Sequence, residues 1–388
     1  MNHRSYDLVI VGGGCAGLSL ARNLAVADLD QRVLVLEPRS HYRNDRTWCF
    51  WESKSHALQH LVSNHWNEWL MDTADGEGVS HRSYAYSYQA IRSSDFYQDA
   101  QLAINNSGKC ELRLDTSVTH FERGERDIFV HTNDSVIRTR AIVDTRNDPA
   151  IPLQKPHLYQ CFSGVEIETD RAIFESASAG LMTDMSTDAD GFRFRYILPF
   201  SGSRALVETT RFSPSPRTVS SLSSELEQDL NAVCGHAQFQ IKYREGAILP
   251  MGWPQPKKVP DQTGRIVQAG IAGGALRPSS GYGFSRIQTW AELCTRHIRQ
   301  TGLPCGHPPQ PGIEQFMDRI FLQALVDRPD QGGVYFLQIA RALGPRRFAI
   351  FMSGKAGMFD WLRVAWALPS LPFMRAARKT MLSLGSAS

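Results

Sequence analysis

The chain has 388 residues, a formal net charge of +3, 42% hydrophobic residues and 21% charged ones. That length suits two domains or one large α/β unit, and the composition is that of a globular rather than a disordered chain. The mild charge, with no long basic stripe, excludes nucleic acid as an expected partner, and no apolar run approaches the ~20 residues of a membrane span.

The opening "MNHRSYDLVIV" enters a strand with no signal-peptide pattern before it. Seven scattered cysteines without a CxxC pair read as reduced thiols, so the expected location is cytoplasmic. Tyr6 to Val11 are mostly aliphatic, as in a parallel strand covered on both faces. Gly12, Gly13, Gly14, Cys15, Ala16 and Gly17 follow, then the helical pattern "LSLARNLAVA" and a second strand, "RVLVLE", ending at Glu37. This is strand, G-x-G-x-x-G, helix, strand and acid, with Glu37 placed 20 residues after Gly17, as dinucleotide binding requires. Gly12 makes the tight turn, Gly14 admits a pyrophosphate to the backbone, and Gly17 lets the helix pack on the strand. The positive end of the helix, beginning at Cys15 and Ala16, faces the phosphates, and Glu37 accepts ribose hydroxyls.

Further on, "HALQH" spaces His56 and His60 one helical turn apart, but no Glu adjoins the first as in H-E-x-x-H, and no metal site is expected. Trp48, Phe50, Phe192, Phe194, Tyr196 and Tyr282 are aromatic residues suited to lining a tunnel, where their faces also stabilise cations. In "ALVETTRF" a carboxylate, Glu208, sits in a strand that otherwise reads as buried. A buried charge is costly unless it is paired or used. Arg195 and Arg211 are the candidate structural partners; the functional reading is a proton donor kept neutral by apolar surroundings.

A second glycine-rich segment follows the strand 265–268. It runs through Gly270, Pro278, Gly281, Tyr282 and Gly283 into a helix beginning near Phe284. A second helix start of this kind suits the ring end of a long cofactor, so FAD is expected rather than NAD. The C-terminal "FDWLRVAWALPSLPFMRAARKTML" mixes aromatic and basic residues on a helical pattern. It is read either as a membrane-surface contact, on the inner face of the membrane, or as a helix packed on the protein's own core.

These blocks together resemble the flavin-dependent lycopene cyclases, which close the rings of carotenoids. "NDRTWCFW", "AIVDTRND", "GFRFRYILPFS", "REGAILPMG", "RPSSGYGF" and "FMSGKAGMFDWLRV" are similar to that family's blocks and follow in the same order. "LVETT" occupies the place of the family's F-L-E-E-T motif, so the resemblance implies that Glu208 is the catalytic carboxylate. Thr209 stands where the family carries a second acid, and Asn147 where it carries a glycine. The resemblance also implies Asp144 as a cofactor contact and Asp184, in a Met-Thr-Asp run, as a second acid, the other reading of Asp184 being a residue that caps a turn. Trp48, Phe50, Phe194 and Tyr196 would contact substrate.

The implied fold is α/β: a Rossmann-type FAD-binding domain of the flavin hydroxylase or glutathione reductase kind, an inserted antiparallel-sheet substrate domain and a helical C-terminal region. The expected divisions are residues 1–45, 95–150 and 255–300 for the first, 46–94 and 151–254 for the second, and 301–388 for the third. The implied chemistry is ring closure at the end of a linear polyene by proton transfer, without net redox change. Reduced FAD would stabilise the cation, and NAD(P)H would serve only to reduce it. The alternative is an FAD monooxygenase using NAD(P)H and O2. Such enzymes carry Gly-Asp before the second cofactor loop, where this chain has Gly270-Ile271.

Overall fold

A computed structural model describes residues 5–53, 55–147, 152–255 and 263–385. Residues 1–4, 54, 148–151, 256–262 and 386–388 lie outside the described residues, and with them the expected boundary at 150/151.

The first sheet is built around β1 (Ser5–Val11) and β11 (Val136–Asp144), paired in parallel. β2 (Val33–Leu36) and β8 (Cys110–Arg113) extend it on one side. On the other, β10 (Ile128–Thr132) pairs the first part of β11 and is followed by β9 (Val118–Arg123), while β17 (Ile266–Gln268) pairs the last residues of β11. Alternation along β1 sends Leu8 and Ile10 to one face and Val9 and Val11 to the other, and both faces are covered. Helices α1 (Cys15–Val26), α2 (Ser93–Ser107) and α4 (Phe284–Thr301) cover the first face through Leu18, Phe96 and Trp290. Double coverage explains the near-continuous aliphatic run of the strand.

The second sheet runs β16 (Phe239–Met251), β12 (Leu158–Thr169), β15 (Arg204–Ser213), β14 (Gly191–Ser201), β13 (Ser178–Asp188), β5 (Glu68–Thr73) and β6 (Gly78–Arg82). It is antiparallel except between β13 and β5. Helix α3 (Ser223–Cys234) covers one face through Leu226 and Leu230 against Val165 and Val207. The other face looks toward the C-terminal helices α5 (Gly312–Asp327), α6 (Gly332–Met352), α7 (Met358–Ala367) and α8 (Ser370–Gly385). A small sheet, β3 (Thr47–Glu52), β7 (Ser87–Arg92) and β4 (Val62–Trp66), bridges the large ones. The chain is thus a Rossmann-type α/β unit carrying an antiparallel sheet and a helical C-terminal region. Among the described residues no helix is long and apolar enough to cross a membrane.

Candidate active site

A cavity of about 320 Å³ lies between the Rossmann unit and the antiparallel sheet. At one end it meets the N-terminus of α1. Gly12 has φ +98°, and a Cβ there would sit 2.7 Å from Thr145 Oγ1. A Cβ on Gly17 would lie 1.9 Å from the Gly12 carbonyl, so only glycine lets α1 start this close to β1. Gly14, Cys15 and Ala16 line the cavity. Helix α1 has neither a side-chain cap nor an acid in its first turn, leaving its N–H groups available for an anion. Glu37 is buried; one oxygen accepts the Gly13 N–H at 2.6 Å, and the other accepts Arg39 N at 3.0 Å and Nε at 2.7 Å.

Opposite, Gly270 and Gly281 through Phe284 line the same cavity, and α4 also begins without a side-chain cap or an acid. Gly270 (φ +67°) is held by His307, whose Nε2 accepts its N–H at 3.0 Å. Burial pushes this imidazole down to about 3, so it stays a neutral acceptor. Gln160 Oε1 is buried, has no hydrogen-bond partner among the described residues, and faces Gly281. Pro278 precedes this turn without lining the cavity. Asp144 does not line it either: its carboxylate is taken by Arg146 Nε at 2.9 Å and Nη2 at 2.8 Å, while Thr145 and Asn147 face inward.

Glu208 lines the cavity, and the expected arginine partners are elsewhere. Arg195 lies 3.5 Å from Asp184 and 3.7 Å from Asp229. Arg211 pairs with Asp188 and Glu225, each at 2.6 Å. Strand alternation sends Glu208 inward and Thr209 outward, where the Thr209 hydroxyl donates to Asp229. The residue that departs from the family's second acid therefore does not face the cavity. The partner of Glu208 is Glu245, on β16. β12 runs between β15 and β16, and Gly164 is in register with both acids. A Cβ on Gly164 would sit 2.6 Å from Glu208 Cγ, so its absence lets the side chains meet across the strand. Burial, and after it the charge and hydrogen bond of Glu245, push the Glu208 carboxyl well above the usual carboxylate range; Arg46 opposes this. Glu245 accepts from Thr47 Oγ1 at 2.9 Å and from the Tyr243 hydroxyl.

Sequence reasoning passed over Glu245, although it is the acid that begins the "REGAILPMG" block. It also passed over Gly164, Gln160 and His307, which stand in no such block. Asp184 lines neither this cavity nor the next; its N–H donates to Asp72 Oδ1 at 2.7 Å.

Tyr88 and Tyr282 hydroxyls meet at 3.2 Å, and Tyr196 bonds Tyr282 as well. Burial pushes Tyr282 up to about 12, keeping it protonated. Tyr196 and Tyr282 also line a second, apolar cavity of about 80 Å³, walled by Phe194, Leu181 and residues of the C-terminal helices. Trp48 lines the carboxylate cavity. Phe50 instead faces a separate polar cleft and stacks on Phe284 with ring centres 4.9 Å apart. Phe192 is buried against Phe336. His56 bonds Gln89 at 2.8 Å and His60 meets Asp99 at 3.0 Å. His60 lies within a single 3-10 turn, Gln59–Leu61, and His56 precedes it, so the two do not share a helix face. Among the described residues no group of three His, Cys, Asp or Glu side chains could hold a metal ion.

The family model described as lycopene cyclase protein matches residues 7–378. The chain belongs to the lycopene cyclase family. It is 24% identical to a lycopene beta-cyclase of Pantoea ananas over 97% of this chain and 98% of that protein. It is 27% identical to a lycopene beta-cyclase of Paracoccus sp. (strain N81106 / MBIC 01143) over 96% and 97%. Against the chloroplastic lycopene beta cyclase of Arabidopsis thaliana the figures are 25% identity over 77% and 61%. Among solved structures it is similar to the flavin-dependent brominase Bmp2, with a TM-score of 0.65 at 14% identity over 98% of this chain and all of that one. A geranylgeranyl bacteriochlorophyll reductase-like protein of Thermoplasma acidophilum gives 0.59 at 12% identity, covering 97% and 99%. At such identities these likenesses speak for a shared fold, which is the one expected from the sequence.

Proposed function

We propose that this protein closes a ring at the end of a linear, lycopene-like polyene, with Glu208 as the proton donor. The meeting of Glu208 and Glu245 inside a cavity that runs from the α1 N-terminus toward an apolar chamber carries this reading. Two carboxylates about 4 Å apart repel by about 4 kcal/mol at an effective dielectric of about 20, so one of the pair keeps a proton. That proton passes from the Glu208 carboxyl to a terminal double bond, forming a C–H bond and a carbocation. An internal double bond attacks the cation, forming the ring C–C bond. A neighbouring C–H then gives its proton to the carboxylate left behind, so substrate and product share one formula. The faces of Tyr196, Tyr282 and Trp48, which line the same cavity, add cation–π stabilisation.

FAD fits the residues present. Two uncapped helix N-termini face one cavity, Glu37 is buried behind the Gly13 turn with its carboxylate held by the Gly13 N–H and Arg39, and the orphaned Gln160 Oε1 offers an acceptor at the other end. Gly12, Gly14 to Gly17 and Glu37 would hold its nucleotide half; Gly270, Gly281 to Phe284 and Gln160 would hold the ring half. Reduced FAD supplies a further negative charge near an apolar pocket, with NAD(P)H or another donor serving only to reduce it. The test is anaerobic incubation of dithionite-reduced protein with lycopene. An isomeric cyclic product supports the reading. Strict dependence on O2, with one NAD(P)H consumed per product, would establish the monooxygenase alternative.

A further inference from the structure

Helices α7 and α8 have two unlike faces. Inward, Trp361, Val364, Leu368 and Phe373 wall the apolar cavity. Outward, Phe359 is 77% exposed and Trp366 90%, and Leu362, Leu371 and Met374 are exposed beside them. These positions follow the three- and four-residue spacing of a single helix stripe in each helix. Exposed large apolar side chains in such a contiguous set mark an interaction surface. Its charge is one-sided: from Trp361 to Gly385 the chain carries Arg363, Arg375, Arg378 and Lys379 and no acid. Lys379 is engaged by Asp327 at 2.7 Å. Arg363, Arg375 and Arg378 are exposed and join none of the ion pairs among the described residues.

Apolar and aromatic side chains flanked by unpaired cations, on helices too polar to span, match an interfacial helix on an anionic bilayer. We propose that the outer face of α7 and α8 docks on a lipid surface bearing anionic headgroups. We further propose that it delivers apolar substrate from that surface into the cavity behind these helices. Docking stands on the surface alone; delivery rests on the proposed function. The cavity wall and the docking face are opposite sides of the same two helices, so an apolar molecule leaving lipid would have only this layer to cross.

The test uses the full-length, flavin-loaded protein with vesicles of phosphatidylcholine alone and of equal parts phosphatidylcholine and phosphatidylglycerol. Stronger sedimentation with the mixed vesicles is expected, together with a blue shift of Trp366 emission that Trp366→Phe abolishes. Arg375→Glu with Arg378→Glu should weaken binding to the mixed vesicles by at least about twenty-five-fold, at roughly a factor of five per basic residue. Phe359→Ser with Trp366→Ser should weaken binding to both vesicle types. Absence of vesicle binding, variants that bind as wild type does, or self-association that shields Trp366 would each overturn docking. For delivery, lycopene is supplied in the mixed vesicles or in detergent micelles. The Phe359→Ser, Trp366→Ser protein should be slowed only with vesicles; equal slowing in both overturns delivery. If wild type cyclises in neither, the proposed function fails while the vesicle binding still decides docking.

Discussion

Glu208 and Glu245 belong to strands that do not pair with each other, yet both are in register with Gly164 on the strand between them. Neighbouring strands are about 4.8 Å apart, so two long side chains reaching over a residue with no Cβ can meet. The hydrogen-bonded carboxyl pair thus follows from three residues on three strands.

Glu208→Gln should retain the fold and the flavin and lose at least about 100-fold in turnover, since an amide cannot deliver the proton. Steady-state cyclisation on the yellow purified variant measures this. Full activity in the Glu208→Gln protein would remove Glu208 from the mechanism.

The same variant has a stability signature. Glu208 titrates above its unfolded value because burial and Glu245 disfavour its charge. The native state therefore binds the extra proton, and stability is fully present below the ordinary Glu pKa and falls as pH rises toward the raised one. Glu208→Gln should be at least as stable as wild type at about pH 8, with its relative advantage shrinking toward about pH 4. A melting-temperature series across that range checks the sign. A structural ion pair would give the opposite result, but Arg195 and Arg211 keep their own carboxylates when Glu208 is changed.

Gly164→Ala should separate the pair. The new methyl meets Glu208 Cγ at 2.6 Å, so the acid must swing away. Overpacking of this kind costs roughly 1–3 kcal/mol. Activity should fall by about tenfold or more while flavin content is unchanged, because a catalytic group displaced by ~1 Å loses up to ~100-fold. Stability, bound flavin and turnover on one preparation distinguish this from general unfolding.

Glu37→Ala should lower flavin retention. It removes the acceptor of the Gly13 N–H and the anchor of Arg39 at the nucleotide end. Absorbance of the purified variant, before and after dialysis against added FAD, measures the loss. Retention equal to wild type would place the ribose contact elsewhere.

The Rossmann start was legible because its chemistry is local: strand, glycine turn, helix and acid lie close together along the chain, and Gly12 and Gly17 answer to steric constraints at the turn itself. The second glycine segment and the α4 start at Phe284 were legible for the same reason. The family was legible from ordered blocks, and the match over residues 7–378 accords with them. Glu208 stood out as an acid in an apolar strand, and alternation alone separates it from Thr209. What no local pattern carried was which strand lies beside which. That decision turned Arg195 and Arg211 toward Asp229 and Asp188, left Asp184 against Arg195, tied Asp144 to Arg146, and brought Glu245 to Glu208 over Gly164. Side-chain period within a strand is set by the backbone and can be read along the chain, whereas strand order and register are set by packing of the whole core, so only the tertiary structure could choose the second carboxylate.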